Sequence, residues 1–325
     1  MPKLAVSRRA LFATLAAWTS GIGAASAQSG RRVHVVATTA MIGDLVSAIA
    51  AERAGLHVMM GPGVDPHLYR ATRSDLERLL RADLVLANGL GLEGRLAETF
   101  ARVARAGRSV LAVAETLPEQ ELIAVADAPG AFDPHVWMDP GLWLKAAEAV
   151  AEALIRLDPA AEASFRRNLD ALKADLAALD RYAASAIATI PANARVLITA
   201  HDAFAYFGRR YGLAVEGIQG LSTETEAGLR RIGDLVELVV TRRIPAVFAE
   251  TSVPDRNLRA LVEGAAARGH RVVLGGTLFS DSMGEPGTYE GTYLGMLDHN
   301  VTTIVRALGG TAPERGFAGR LAVRR

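Results

Sequence analysis

DPAAEASFRRNLDALKADLAALDRYAASAIATI, residues 158–190, decides how the rest of the chain is arranged. Asp158 is suited to cap a helix, because its carboxylate can accept a hydrogen bond from a backbone N–H left free in the first turn. Pro159 fits the first helical position, where its missing donor costs nothing. Phe165, Leu169, Leu172, Leu176, Leu179, Ala183, Ala186 and Ile190 follow in alternating steps of four and three. That spacing gathers apolar side chains on one helical face. Pro191 closes the run. At 1.5 Å per residue such a helix is roughly 48 Å long. Comparable lengths of alternating strand and helix pattern lie on either side. The expected fold is therefore α/β: two lobes with parallel sheets flanked by helices, joined by one long rigid helix. The lobes are residues 28–157 and 191–325, and the joining helix is 158–190.

Residues 1–27 are of another kind. Lys3, Arg8 and Arg9 precede an alanine-rich apolar stretch, and Ala25-Ser26-Ala27 follows as a small-x-small cleavage site. This is the pattern of a secretory signal peptide, too short and interrupted for a good membrane span. The adjacent arginines also resemble a twin-arginine export signal. Without this segment the 36 basic residues fall to 33 against 35 acidic ones. No basic patch with interleaved aromatics remains, which argues against nucleic acid as a partner. The chain has no cysteine. That excludes a lipid-modified N-terminal cysteine and any thiolate metal site, and a chain of this size can rely on its core without disulfides. The expected product is a monomer, not inserted in a membrane, free in the periplasm.

Strands are expected at 32–38, 56–60, 84–87 and 109–113 before the long helix, and at 195–199, 213–218, 246–249 and 271–274 after it. Helices alternate with them, which indicates parallel sheets. Ligands of such sheets bind beyond the carboxyl ends of the strands. His67 follows the second strand, His135 lies in a loop between elements, and His201 sits just beyond RVLIT. Glu250 ends the strand PAVFA, and Asp281 lies in a loop that opens with Gly275 and Gly276. Three imidazoles with a carboxylate make a nitrogen–oxygen donor set for a divalent metal. A single loop histidine is more often a surface or capping residue than a ligand. His34, His57, His270 and His299 fit that ordinary role. His67 and His135 differ, because each stands in the tripeptide Asp-Pro-His. Proline stiffens the backbone there, and the aspartate is placed to accept the second ring N–H. HExxH, G-x-S-x-G and Walker motifs are absent, so the usual hydrolase and nucleotide signatures are missing.

Six segments together carry a resemblance: GVDPHLYRAT, FDPHVWMDP, ITAHDAFAYFGRRYGL, IQGLSTETEAGL, FAETSVPDRN and LFSDSMGEPGTYEGTYLGMLDHNVTTI. In this order they resemble the zinc- and manganese-binding proteins of bacterial ABC importers, nearly from end to end of the mature chain. The resemblance implies a metal held between two lobes, with His67 and His135 from the first and His201 and Asp281 from the second. It implies a supporting role for Glu250, a single Mn2+ or Zn2+ as cargo, and an ABC permease with its ATPase as partners. Many zinc-dedicated relatives carry a histidine-rich loop where Glu115–Ala131 has no histidine. Many manganese-dedicated relatives carry glutamate in place of His201. The chain departs from both patterns. Two other functions compete with the carrier. A zinc hydrolase needs an open coordination position and a base, for which Glu250 is the candidate. A binder of a larger metal chelate needs a wide cleft lined with aromatics or arginines.

Overall fold

The computed structural model describes residues 32–126 and 128–322, so the expected signal segment lies outside the described residues. From the N-terminal side the elements are β1 (Val33–Ala37), α1 (Ala40–Ala50), β2 (Ala54–Val58), α2 (Arg73–Arg81), β3 (Leu84–Ala87), α3 (Ala97–Arg105) and β4 (Ser109–Ala112). Two helices follow, α4 (Pro140–Leu157) and α5 (Glu162–Ile187). The second series is β5 (Val196–His201), α6 (Ala205–Tyr211), β6 (Ala214–Gln219), α7 (Leu229–Arg242), β7 (Ala246–Glu250), α8 (Arg256–Ala267), β8 (Val273–Leu278) and α9 (Tyr293–Ala307).

Each series forms a four-stranded sheet, ordered β2-β1-β3-β4 and β6-β5-β7-β8, with every pair parallel. Strand residues alternate between two faces, and the alternation sorts the core. Val35, Ala37, Leu84 and Leu86 join one large apolar cluster, while Val36 and Val85 pack with Leu79 and Val103 of α2 and α3. In the second sheet Leu197, Ala246 and Phe248 face the same large cluster. Val196, Ile198 and Val247 face Leu235, Val239, Leu258 and Leu261 of α7 and α8. The inner faces of both sheets therefore share one core, built on α1, α4, α5, α6 and α9.

Helix α5 runs through that core. Phe165, Leu169, Leu172, Leu176, Leu179, Ala183, Ala186 and Ile187 are buried, in contact with α1, α4 and α9. Each large member contributes about 1.5–3 kcal/mol through burial, so Leu176→Ala would cost about 2–5 kcal/mol. The start of the helix departs from expectation. The Asp158 side chain makes no capping bond, and its carboxylate pairs with Arg53 at 3.0 Å. Pro159–Ala161 is a 3-10 turn, and the α-helix from Glu162 to Ile187 is about 39 Å long.

Thr72 caps α2, with Asp75 bonding back to it from three residues on. Helix α7 starts at Leu229, and residues 220–228 stay outside it. Strand β8 continues through Gly275 and Gly276, because a bulge opposite Val247 and Phe248 takes up the extra residue. Both positions demand glycine. A Cβ on Gly275 would meet Ala307 at 2.7 Å, and Gly276 has a φ of 146°. The segment bearing Asp281 is thus shorter than its glycines suggest. Among the described residues no helix is long and apolar enough to cross a membrane.

Candidate metal centre

His67 stands in the loop between β2 and α2, where Asp65 Oδ1 accepts its backbone N–H at 2.9 Å. The other oxygen, Oδ2, accepts the Thr223 hydroxyl at 2.5 Å from the segment before α7. In the second Asp-Pro-His the aspartate does more. Asp133 Oδ1 accepts both the backbone N–H of His135 at 2.9 Å and its Nδ1–H at 2.7 Å. The shared tripeptide therefore sets both backbones, but it orients only the His135 ring. Asn88 Nδ2 donates to the Pro134 carbonyl at 3.0 Å, and the Tyr206 hydroxyl donates to the Asp133 carbonyl at 2.9 Å.

His201 is the last residue of β5, one strand from Glu250 at the end of β7. Glu250 Oε1 accepts the His201 backbone N–H at 2.8 Å, and Oε2 accepts Nδ1–H at 2.5 Å. A carboxylate can only accept, so Nδ1 of His135 and of His201 carries a proton, and Nε2 is the atom of each ring that is left to meet a metal. Asp281 follows β8. On one side Ser280 Oγ meets Ser252 Oγ at 3.2 Å, and on the other Ser282 Oγ meets Thr251 Oγ1 at 2.9 Å.

The four side chains meet. Nε2 of His67, His135 and His201 lies 3.5, 3.5 and 3.2 Å from an oxygen of Asp281. One donor atom from each lies within 4.8 Å of all the others. The three Nε2 atoms and both Asp281 oxygens are buried without a hydrogen-bond partner in the protein. Buried polar atoms are seldom left so, and five in one place fit a cation. His34, His57, His270 and His299 stand outside the cluster. His270 and His299 instead bond the carbonyls of Ile244 and Thr277.

Electrostatics differ around the centre. Burial holds the His67 imidazole down to about 4, with the other two histidines adding to the effect. At His201 burial also opposes charge, but Glu250 and Asp281 outweigh it and raise the imidazole well above its ordinary value. Burial would raise the Asp281 carboxyl, yet the three histidines, His201 foremost, hold it well below the usual range. His135 and His201 are wholly enclosed, and His67 borders a surface cavity of about 260 Å³ that Arg95, Ser222 and Glu224 also line. Across that cavity Arg95 Nε meets Glu224 Oε1 at 2.6 Å. Thr223, Tyr206 and Trp137 escape a reading by motif, because their partners are distant in sequence. Only the polar run Thr223–Glu226 after Gly220 hinted at a loop.

Residues 35–307 match the family described as zinc-uptake complex component A, periplasmic (ZnuA). The chain is 44% identical over 298 residues to the manganese-binding lipoprotein MntA of Bacillus subtilis, covering 92% of this chain and 97% of that protein. It is 45% identical over 294 residues to the zinc-binding protein TroA of Treponema pallidum, covering 90% and 94%. The solved structure of periplasmic zinc-binding TroA superposes with a TM-score of 0.83 at 46% identity, covering 85% of this chain and 99% of that one. Fe(III)-bound YtgA of Chlamydia trachomatis does so with a TM-score of 0.77 at 30% identity, covering 86% and 99%. The chain belongs to the ZnuA family, and its two parallel sheets around one long helix are the fold of TroA.

Proposed function

We propose that this protein is the periplasmic binding component of an ABC importer. It captures one divalent transition metal, manganese and/or zinc, through His67, His135, His201 and Asp281, and hands it to a membrane permease driven by its ATPase. In this reading residues 1–27 are the export signal, 28–157 and 191–325 are the lobes, and 158–190 is the helix between them. One observation carries it: five donor atoms converge, buried and unpaired within the protein, from a strand end and loops of both sheets. Glu250 has both oxygens engaged by His201, which favours a carrier over a hydrolase needing a free base. The burial of His135, His201 and Asp281 favours a bare ion over a chelate.

The donor set suits both cargoes. Three imidazoles favour zinc, and a carboxylate with both oxygens facing the ion raises coordination toward what manganese accepts. The likeness to one protein named for manganese and another named for zinc supports both. Metal analysis of protein purified without chelator should find about one equivalent of Mn2+ or Zn2+. A binding free energy of about 10–16 kcal/mol spread over four ligands is about 3 kcal/mol each. His67→Ala, His135→Ala and His201→Ala should therefore each weaken binding by on the order of a hundredfold or more. Unchanged affinity in any one of them removes that residue from the set. Protein without bound metal or metal affinity sinks the reading.

A further inference from the structure

Trp137 follows His135 by two residues and is buried. Its ring stands edge-on to the His135 imidazole, with centroids 5.2 Å apart at 65°. Its Nε1–H crosses to the other lobe and donates to the Ser280 carbonyl at 2.9 Å. Its own carbonyl accepts the Tyr293 hydroxyl of α9 at 2.6 Å. Tyr293 is tied to the first lobe a second time, where its backbone N–H donates to Asp44 Oδ2 of α1 at 3.0 Å. One side chain thus touches a candidate ligand of each lobe or its neighbour.

The Ser280 carbonyl belongs to the planar peptide that carries the Asp281 nitrogen. Fixing that oxygen fixes one end of the dihedral that aims the Asp281 side chain. Bonds of Ser280 and Ser282 to Ser252 and Thr251 hold the segment from its own lobe. The indole is the hold from the opposite side. A phenylalanine would fill most of the same space, so the N–H is what tryptophan adds, and it is this N–H that makes the bond to Ser280.

We infer that Trp137 is a positioning residue for Asp281: its indole N–H, donated across the two lobes to the Ser280 carbonyl, keeps the carboxylate of the cluster facing the three imidazoles. The inference rests on the metal-carrier reading and deepens it. Loss of this bond lets the carboxylate turn, and a cation that prefers oxygen, such as Mn2+, suffers more than Zn2+.

The test is chelator competition with Zn2+ and with Mn2+ on the wild type, Trp137→Phe, Asp281→Ala and the double variant. Trp137→Phe should weaken Mn2+ binding by about tenfold, the lower end for residues that orient a ligand, and Zn2+ binding by less. In the Asp281→Ala background the same substitution should change affinity by less than about twofold, since the group it orients is gone. The visible spectrum of bound Co2+ in Trp137→Phe should move toward that of Asp281→Ala. Tyr293→Phe, which removes the bond to the Trp137 carbonyl and keeps the ring, should act in the same direction and depend on Asp281 likewise. It carries the test if Trp137→Phe does not fold. Equal losses with and without Asp281, or unchanged affinity and spectrum, overturn the inference while leaving the carrier intact. A wild type that binds neither metal overturns the carrier reading itself.

Discussion

In the second sheet the crevice between β5 and β7 holds His201 and Glu250, both strand-end residues. The first sheet has the same strand order, and its matching crevice between β1 and β3 holds Thr38, Asn88 and Glu93 instead. Glu93 is buried there and accepts the Thr38 hydroxyl at 2.6 Å and the backbone N–H groups of Asn88 and Gly89 at 2.8 and 3.2 Å. Its carboxyl is pushed up by burial. The same topology thus yields two kinds of support. His201 stands directly on the sheet. His67 and His135 stand on loops, which Asn88 holds from within the lobe and which Thr223 and Tyr206 hold from across it. One carboxylate orients the strand-end imidazole of His201, whereas the loops that carry His67 and His135 are held by further neighbours as well.

The largest effect should come from removing the orienting carboxylates, which costs about 10–100-fold in affinity. Glu250→Gln belongs at the upper end. Each oxygen of Glu250 accepts a different N–H, so the amide NH2 of glutamine must face one of them and drive the ring toward the wrong tautomer. Asp133→Asn belongs at the lower end. One oxygen of Asp133 accepts both bonds and the other has no partner, so asparagine can keep its oxygen in place. Chelator competition on both variants measures the difference, and equal losses would break the contrast between the lobes.

Next in size is the response to pH. His67, held down to about 4, is already neutral at pH 7, whereas His201 is raised well above its ordinary value by Glu250 and Asp281 against the opposition of burial. The proton on His201 Nε2 must leave before that atom can bind metal. Rising pH therefore favours the complex, by about tenfold per unit for one proton, until the raised value is passed. Calorimetry across a pH series, in two buffers of different ionisation enthalpy, should count protons released on binding, fewer as pH rises. A count near zero would mean that both lobes offer neutral rings.

The smallest effect belongs to the rim. The Arg95–Glu224 pair over the His67 cavity is about a third to a half exposed, and such pairs are worth about 0.2–1 kcal/mol. Arg95→Ala should speed metal release to a chelator by up to about fivefold, and high salt should bring the wild type close to the variant. A release rate that ignores both changes would show that the ion does not leave past His67.

Much of this was legible from residues alone. Parallel sheets followed from the alternation of patterns, and positions at or beyond strand ends brought forward His67, His135, His201, Glu250 and Asp281, among which only the family resemblance singled out four as ligands. Asp139 and Pro140 together make an unambiguous start for α4, because the cap and the first helical position are both filled locally. The misreadings share a cause. Asp158 has the right type for a cap, but Arg53, distant in sequence, takes its carboxylate. Gly275 and Gly276 look like a loop, but a bulge against β7 makes room for them in a strand. Thr223 and Glu224 stand just before α7, where they bond Asp65 and Arg95. Local pattern cannot register a partner supplied by tertiary packing. The two Asp-Pro-His tripeptides are alike in sequence and unlike in use for the same reason, since Thr223 engages one aspartate and not the other.

The shared core has a thermodynamic consequence. The inner faces of both sheets, α4, α9 and the buried stripe of α5 belong to one apolar cluster. Neither half can melt alone without exposing the surface on which the other is built. Heating should therefore unfold the described chain in one cooperative transition, and a cation bound at the junction should raise the melting temperature of both lobes together.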